Sequence, residues 1–296
     1  MERMLQNNME SELCPDGIWQ LTDISESVLK RQISKLPKAE VSDTDTRYPT
    51  SPASMRAFLE VFFTRHYFQV QNSLLDYITS DEFLDVLVTG QLQILDIGCG
   101  PAVASLAITD MVLCLLKNLK ETGSWRLNRE IIINYILNDP DGFCLGTAQN
   151  MLRDYFQLNQ RNRDEIVCSH VVSIQKPFPD NMNQLHRIKL NLGTYDITVF
   201  SYVVVPLSEE NEQSSIANGL LEVEELCSNN GRLLILQDKF QESLIRQIGR
   251  EIENPSNKQT LTQEIFPKRN EKETHTYTYY QCLYAPRLTD AHRAMV

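Results

Sequence analysis

ILDIGCGPA, residues 94–102, runs an apolar segment straight into a turn built from two glycines, a proline and an alanine. Upstream, QLQILDI (91–97) reads as a short buried strand, and downstream VASLAITDMVLCLLKNLK (103–120) has the length of a helix. Small residues between strand and helix let a ligand lie against bare main chain. The opening turn of the helix offers N–H groups to a polar or anionic moiety. The residues at and beyond this turn argue against two common ligands. A nucleoside triphosphate loop requires a lysine and then Ser or Thr, whereas here the turn continues Pro101, Ala102, Val103. A dinucleotide fingerprint requires a third glycine where Val103 stands, and an acidic strand end where LKNLKETGS (116–124) reads as helix and loop.

Outward from this turn, strands and helices alternate. EIIINYILN (130–138), EIVCSHVVSI (165–174), YDITVFSYVVV (195–205) and GRLLILQDKF (231–240) read as strands, with LGTAQNMLRDYFQLN (145–159) and SSIANGLLEVEELCS (214–228) as helices. THTYTYYQCLYA (274–285) alternates like a late antiparallel strand. Such a rhythm predicts a mostly parallel sheet with helices on both faces over 91–296. Residues 1–90 predict a helical segment instead. ESVLKRQISKL (26–36) is amphipathic, and SPASMRAFLEVFFTRHYFQVQNSLLDYI (51–78) is a long helix opened by Ser51 and Pro52.

The 296 residues are 42% apolar and carry a formal charge of −11, which argues against a surface built to neutralise phosphates, and so against nucleic acid as partner. Seven scattered cysteines show no CxxC spacing, so they read as buried free thiols of a cytoplasmic protein, with no metal site. The polar N-terminus lacks the apolar core of a secretory signal, and the longest apolar run contains Asp110, so no membrane role is expected.

ILDIGCGPA resembles the first motif of the class I S-adenosylmethionine-dependent methyltransferases, a Rossmann-like family, with Ala102 where a third glycine usually stands. Later segments fall in the order of that family, over about residues 91 to 285. The resemblance implies a seven-stranded, mostly parallel sheet and S-adenosylmethionine as cofactor, lying on Asp96, Gly98, Cys99, Gly100, Pro101 and Ala102. It implies an acidic residue at the end of the second strand for the ribose hydroxyls, which a carboxylate with its several acceptor sites can take. Asp139, followed by Pro140, matches, and Asp141 is a rival that could instead cap the next helix. Where the family often has an acidic residue for the adenine amino group, this chain has Ser173, so Ser173 and main chain near Ile174 are expected there. The step from Gly100 to Asp139 is nearly twice the usual length, the excess falling in KNLKETGSWRLNREI (117–131) as a lengthened helix or an insertion.

Methyl transfer is an in-line displacement, so the protein mainly aligns the partners, and a general base is required only where an early proton must leave. Ser201 and Tyr202, leaving the fourth strand, are expected to face the methyl group, Tyr202 having a packed aromatic as its alternative. SYVVVP (201–206) lacks the paired prolines of the Asn/Asp/Ser-Pro-Pro-aromatic run of adenine amino-methylases, which lowers that substrate class. His66, His170 and His186 are bases by type, though a lone histidine is more often structural. Related enzymes fold N-terminal helices over the cofactor, making Tyr48 and Arg56 lid contacts in residues 1–90, against the alternative of plain surface. A small-molecule or protein methyl acceptor is the expected partner. RNA, and a silent methyltransferase-like interaction subunit, are the alternatives.

Overall fold

The computed structural model describes residues 1–38, 49–124, 130–159, 165–202, 210–238, 242–266 and 273–286. Among the described residues five α-helices come first: α1 (Glu2–Leu13), α2 (Asp23–Lys35), α3 (Pro52–Val61), α4 (Phe63–Ile78) and α5 (Asp81–Val88). Ser51 starts α3 with a reciprocal capping box to Ser54, and Pro52 takes the first turn, where a missing N–H costs nothing. The expected single helix over 51–78 is interrupted only at Phe62, across which helical bonds continue from Phe62 N–H to Phe58 O and from His66 N–H to Phe62 O.

The remainder alternates as β1 (Gln91–Ile97), α6 (Val103–Glu121), β2 (Ile131–Asn138), α7 (Gly142–Leu158), β3 (Ile166–Ile174), α8 (Met182–Leu192), β4 (Tyr195–Ser201), α9 (Glu210–Glu224), β5 (Cys227–Asp238), α10 (Glu242–Glu251), β6 (Asn257–Glu264) and β7 (Thr274–Tyr284). One seven-stranded sheet results, ordered β3-β2-β1-β4-β5-β7-β6. β1 to β5 run parallel, and β7 is antiparallel to both β5 and β6. Alternate residues along each strand face opposite sides. Thus Ile94 and Tyr135 join the core beneath α6 and α7, while Leu95, Ile97 and Ile136 join a second core with residues of α8, α9 and α10. The lengthened step before β2 is partly helix, since α6 runs on to Glu121, and 125–129 lie outside the described residues.

The N-terminal helices have no core of their own. Leu5 and Met9 of α1 and Phe68 of α4 share one cluster with Leu106 and Met111 of α6, which makes α6 apolar nearly all round. Its one buried acid is Asp110, whose Oδ2 accepts from Thr22 Oγ1 (2.7 Å), Ser25 Oγ (2.5 Å) and the Tyr67 hydroxyl. Oδ1 accepts from the Tyr155 hydroxyl. α2, α4 and α7 are thereby fastened to α6 through one carboxylate. Asp154 of α7 adds Lys35 (2.7 Å) and Gln32 (2.7 Å) from α2. Trp19 reaches the far sheet edge, its main-chain N–H donating to Thr262 O (3.0 Å). Among the described residues no helix is long and apolar enough to cross a membrane.

Candidate functional site

The site lies at the carboxyl ends of the strands, where the order reverses between β1 and β4 and where open α/β sheets place ligands. β1 delivers Asp96 in register with Leu137 and Val199. The chain then turns with positive φ at Gly98 (63°), Gly100 (50°) and Ala102 (59°). Glycine reaches that left-handed region freely, which explains two of the three residues, while Ala102 holds it as the residue before α6 and is fully buried. A cavity of about 240 Å³ opens over this turn. Gly98, Cys99 and Gly100 line it, joined by Val103 and Ala104 from the first turn of α6.

Asp96 also lines the cavity. Its Oδ2 accepts from Ser105 N–H (3.2 Å) and Ser105 Oγ (2.8 Å), whereas its buried Oδ1 has no partner among the described residues. Burial pushes its carboxyl up to about 7, with the two Ser105 bonds opposing that rise. Asp139 is fully buried beside the turn, accepting from Gly100 N–H (3.0 Å) on Oδ2 and from Asp141 N–H (2.9 Å) on Oδ1. Its neighbours Asn138 and Pro140 line the cavity. Asp141 is the cap of α7, accepting from Phe143 N–H (2.7 Å) and Cys144 N–H (3.0 Å).

Ser201 and Tyr202 both line the cavity. Tyr202 is held in the left-handed region (φ 61°), its N–H donates to Leu236 O (3.1 Å), and its hydroxyl donates to Gln69 of α4. The phenol oxygen is thus engaged with the N-terminal helices.

Other expected residues are not brought to the cavity. Pro101 and Ala102 are buried within the turn without lining the cavity, and Asp139 is buried beside the turn without lining it. Ser173 is exposed and accepts from Gln149 Nε2 (2.8 Å), so its hydroxyl is turned onto α7. The Ile174 carbonyl is occupied by Asn138 Nδ2 (3.0 Å) and Asp139 N–H (3.2 Å). Arg56 pairs with Glu60 (2.9 Å) and donates to Leu36 O (3.0 Å), because the carbonyls ending α2 attract a cation. Tyr48 lies outside the described residues, although Pro49 next to it lines the cavity. His170 meets Asn134 on the sheet (3.1 Å) and His186 meets Glu222 at the surface (3.0 Å).

Sequence reasoning missed Phe58, Asn138, Pro177 and Phe178 in the lining and gave His66 no special place. One signal was present: Phe58, Phe62 and His66 recur every four residues, an aromatic row along one helical face.

No family model and no curated protein matches the chain. Among solved structures it is similar to precorrin-6y C5,15-methyltransferase of Geobacter metallireducens, at 12% identity and TM-score 0.41 over 71% of this chain and 90% of that one. It is similar to a candidate class I S-adenosylmethionine-dependent methyltransferase of Listeria monocytogenes, at 10% identity and TM-score 0.36 over 98% and 87%. A methyltransferase candidate of Streptococcus mutans in complex with SAH gives 8% identity and TM-score 0.32 over 65% and 89%. Such likenesses concern the course of the chain, so the assignment stands on the strand order, with β7 inserted antiparallel between β5 and β6. The fold is that of the class I methyltransferases.

Proposed function

We propose that this chain is an S-adenosylmethionine-dependent methyltransferase acting on a small-molecule or protein acceptor. The observation that carries the reading is the half-satisfied Asp96: a buried carboxylate with one oxygen unpartnered among the described residues, on a residue that lines a cavity over bare main chain. A buried acceptor left unpaired is costly, and an ammonium is the donor best suited to it. The turn from Gly98 to Ala102 and the start of α6 would hold the amino-acid part of the cofactor, Asp96 its amino group, and Asp139 its ribose. When bound, the cofactor supplies a methyl group on a sulfonium, a good leaving group. The chain contributes orientation and exclusion of water, with Ser201 and Tyr202 fixed at the exit of β4.

Calorimetric titration with S-adenosylmethionine and S-adenosylhomocysteine tests this. Heats of binding are expected, and Asp139→Ala is expected to weaken binding by about 1 to 3 kcal/mol, the cost of unpaired polar groups. No heat at millimolar ligand would overturn the reading in favour of the silent subunit, which has one observation behind it: both Asp139 oxygens already accept main-chain N–H groups. RNA as acceptor is disfavoured by the charge of −11, and association with total RNA is expected to be absent across a salt series.

A further inference from the structure

Beside the bare turn, the cavity is walled by rings: Phe58, His66, Phe178 and Tyr202. The imidazole of His66 stacks on Tyr202 with centroids 4.0 Å apart and planes at 16°, and Phe58 meets it edge-on at 5.6 Å and 71°. Phe178 is itself braced edge-on by Phe200 at 5.2 Å. The two polar-tipped rings differ in what their polar atoms do. Tyr202 gives its hydroxyl to Gln69, so the cavity meets chiefly its ring. His66 makes no hydrogen bond through its ring nitrogens among the described residues. Burial, with Arg65 next to it, pushes the imidazole down to about 3, so it is neutral and carries one N–H donor and one lone pair. Among the described lining residues there is no lysine or arginine, and the one carboxylate is Asp96 at the turn.

From this arrangement we propose that His66 is the hydrogen-bonding contact for the methyl acceptor, and that the acceptor presents a flat, uncharged aromatic ring bearing a hydroxyl, N–H or ring nitrogen. This rests on the reading of the cavity as a methyl-transfer site. The rings take the faces and edges of the acceptor, and the imidazole fixes its rotation in the plane. An anionic group among these rings would lose its hydration with no lysine or arginine among the described lining residues to pair with it, which selects against carboxylates and phosphates. Neutral imidazole orients without ionising, because a base held so far below the usual histidine range takes a proton poorly.

Full-length protein labelled in its five histidines is titrated with 2-naphthol, naphthalene and 2-naphthoate, with and without S-adenosylhomocysteine, and followed by the imidazole NMR signals. 2-Naphthol is expected to bind at least about tenfold more tightly than either comparator and to move one imidazole signal that vanishes in His66→Phe. His66→Phe is expected to abolish the preference, and His66→Gln, which offers both a donor and an acceptor, to keep most of it. Retained S-adenosylhomocysteine binding in both variants reports an intact fold. Equal binding of the three probes, no binding of 2-naphthol, or an unchanged preference in His66→Phe overturns the proposal. Binding of S-adenosylhomocysteine without a naphthol preference removes the acceptor subsite alone. A naphthol preference without S-adenosylhomocysteine binding supports the subsite and removes the cofactor reading.

Discussion

Asp96 and Asp110 are two buried carboxylates at either end of one stretch of chain, and burial raises both above the usual carboxylate range. They differ in their partners. Asp110 receives hydroxyls from Thr22, Ser25, Tyr67 and Tyr155, which come from three helices and the turn that caps one of them. Among the described residues Asp96 receives Ser105, on one oxygen, and the other oxygen has no partner. Equal burial with unequal satisfaction separates a joint from a binding group. Asp110, with four hydroxyls on its two oxygens, is the joint, while a half-satisfied carboxylate in a cavity favours a donor that supplies the missing bond.

The largest expected effect breaks the joint. Asp110→Ala leaves several buried hydroxyls unpaired, at about 1 to 3 kcal/mol each and less than additively, so a loss of about 3 to 5 kcal/mol in urea unfolding is expected. Asp110→Asn is expected to lose less, since an amide oxygen still accepts. An effect below about 1 kcal/mol for the alanine variant would mean that the hydroxyls find other partners.

Asp96→Asn sharpens the other half of the comparison. Its amide oxygen can still serve Ser105, so stability is expected to change by less than about 1 kcal/mol while S-adenosylmethionine affinity falls at least about tenfold in calorimetry. The pH dependence comes from the raised carboxyl. Between the usual carboxylate range and pH of about 7, folded Asp96 keeps a proton that the unfolded chain has lost. The contribution of this group to stability therefore falls as pH rises through that window and is level above it. A cationic amino group favours the ionised form, so affinity is expected to rise with pH over the same window in the wild type. The Asp96→Asn variant is expected to lose that slope, and a slope retained there would assign the proton to another group.

The smallest effect concerns the turn itself. Ala102→Gly relieves a left-handed alanine, worth about 1 to 2 kcal/mol, but loosens the unfolded chain by about 0.4 to 1 kcal/mol. A net gain of about 1 kcal/mol or less is expected in thermal unfolding, with cofactor affinity unchanged.

Much of the fold was legible because burial leaves a periodic mark. QLQILDI is β1 to the residue, and the parallel strands appear as β-branched runs because both faces of the sheet are covered. β6 escaped, since NKQTLTQE is largely polar and lies at the sheet edge, and α8 escaped because only Met182 and Leu185 of its eleven residues are buried. The helical pattern of SSIANGLLEVEELCS overruns the helix, for Cys227 and Ser228 already belong to β5. Of the cavity, the glycine turn and the exit of β4 are readable from local order along the chain, whereas Asp139 lies buried beside the turn and does not line the cavity. Ser173 and Arg56 were placed by family position, and both are engaged instead by neighbours distant in sequence, Gln149 and the end of α2.

The sequence by itself determined the strand, the bare turn and the helix behind it, because glycine at positive φ and apolar periodicity are local properties that one segment carries alone. Only the tertiary structure decided which acid is a joint and which retains an open acceptor, and that His66 belongs with Tyr202 at the cavity. Hydrogen-bond satisfaction and ring stacking depend on groups far apart along the chain, from Thr22 to Asp110 and from His66 to Tyr202, and no local pattern records such partners.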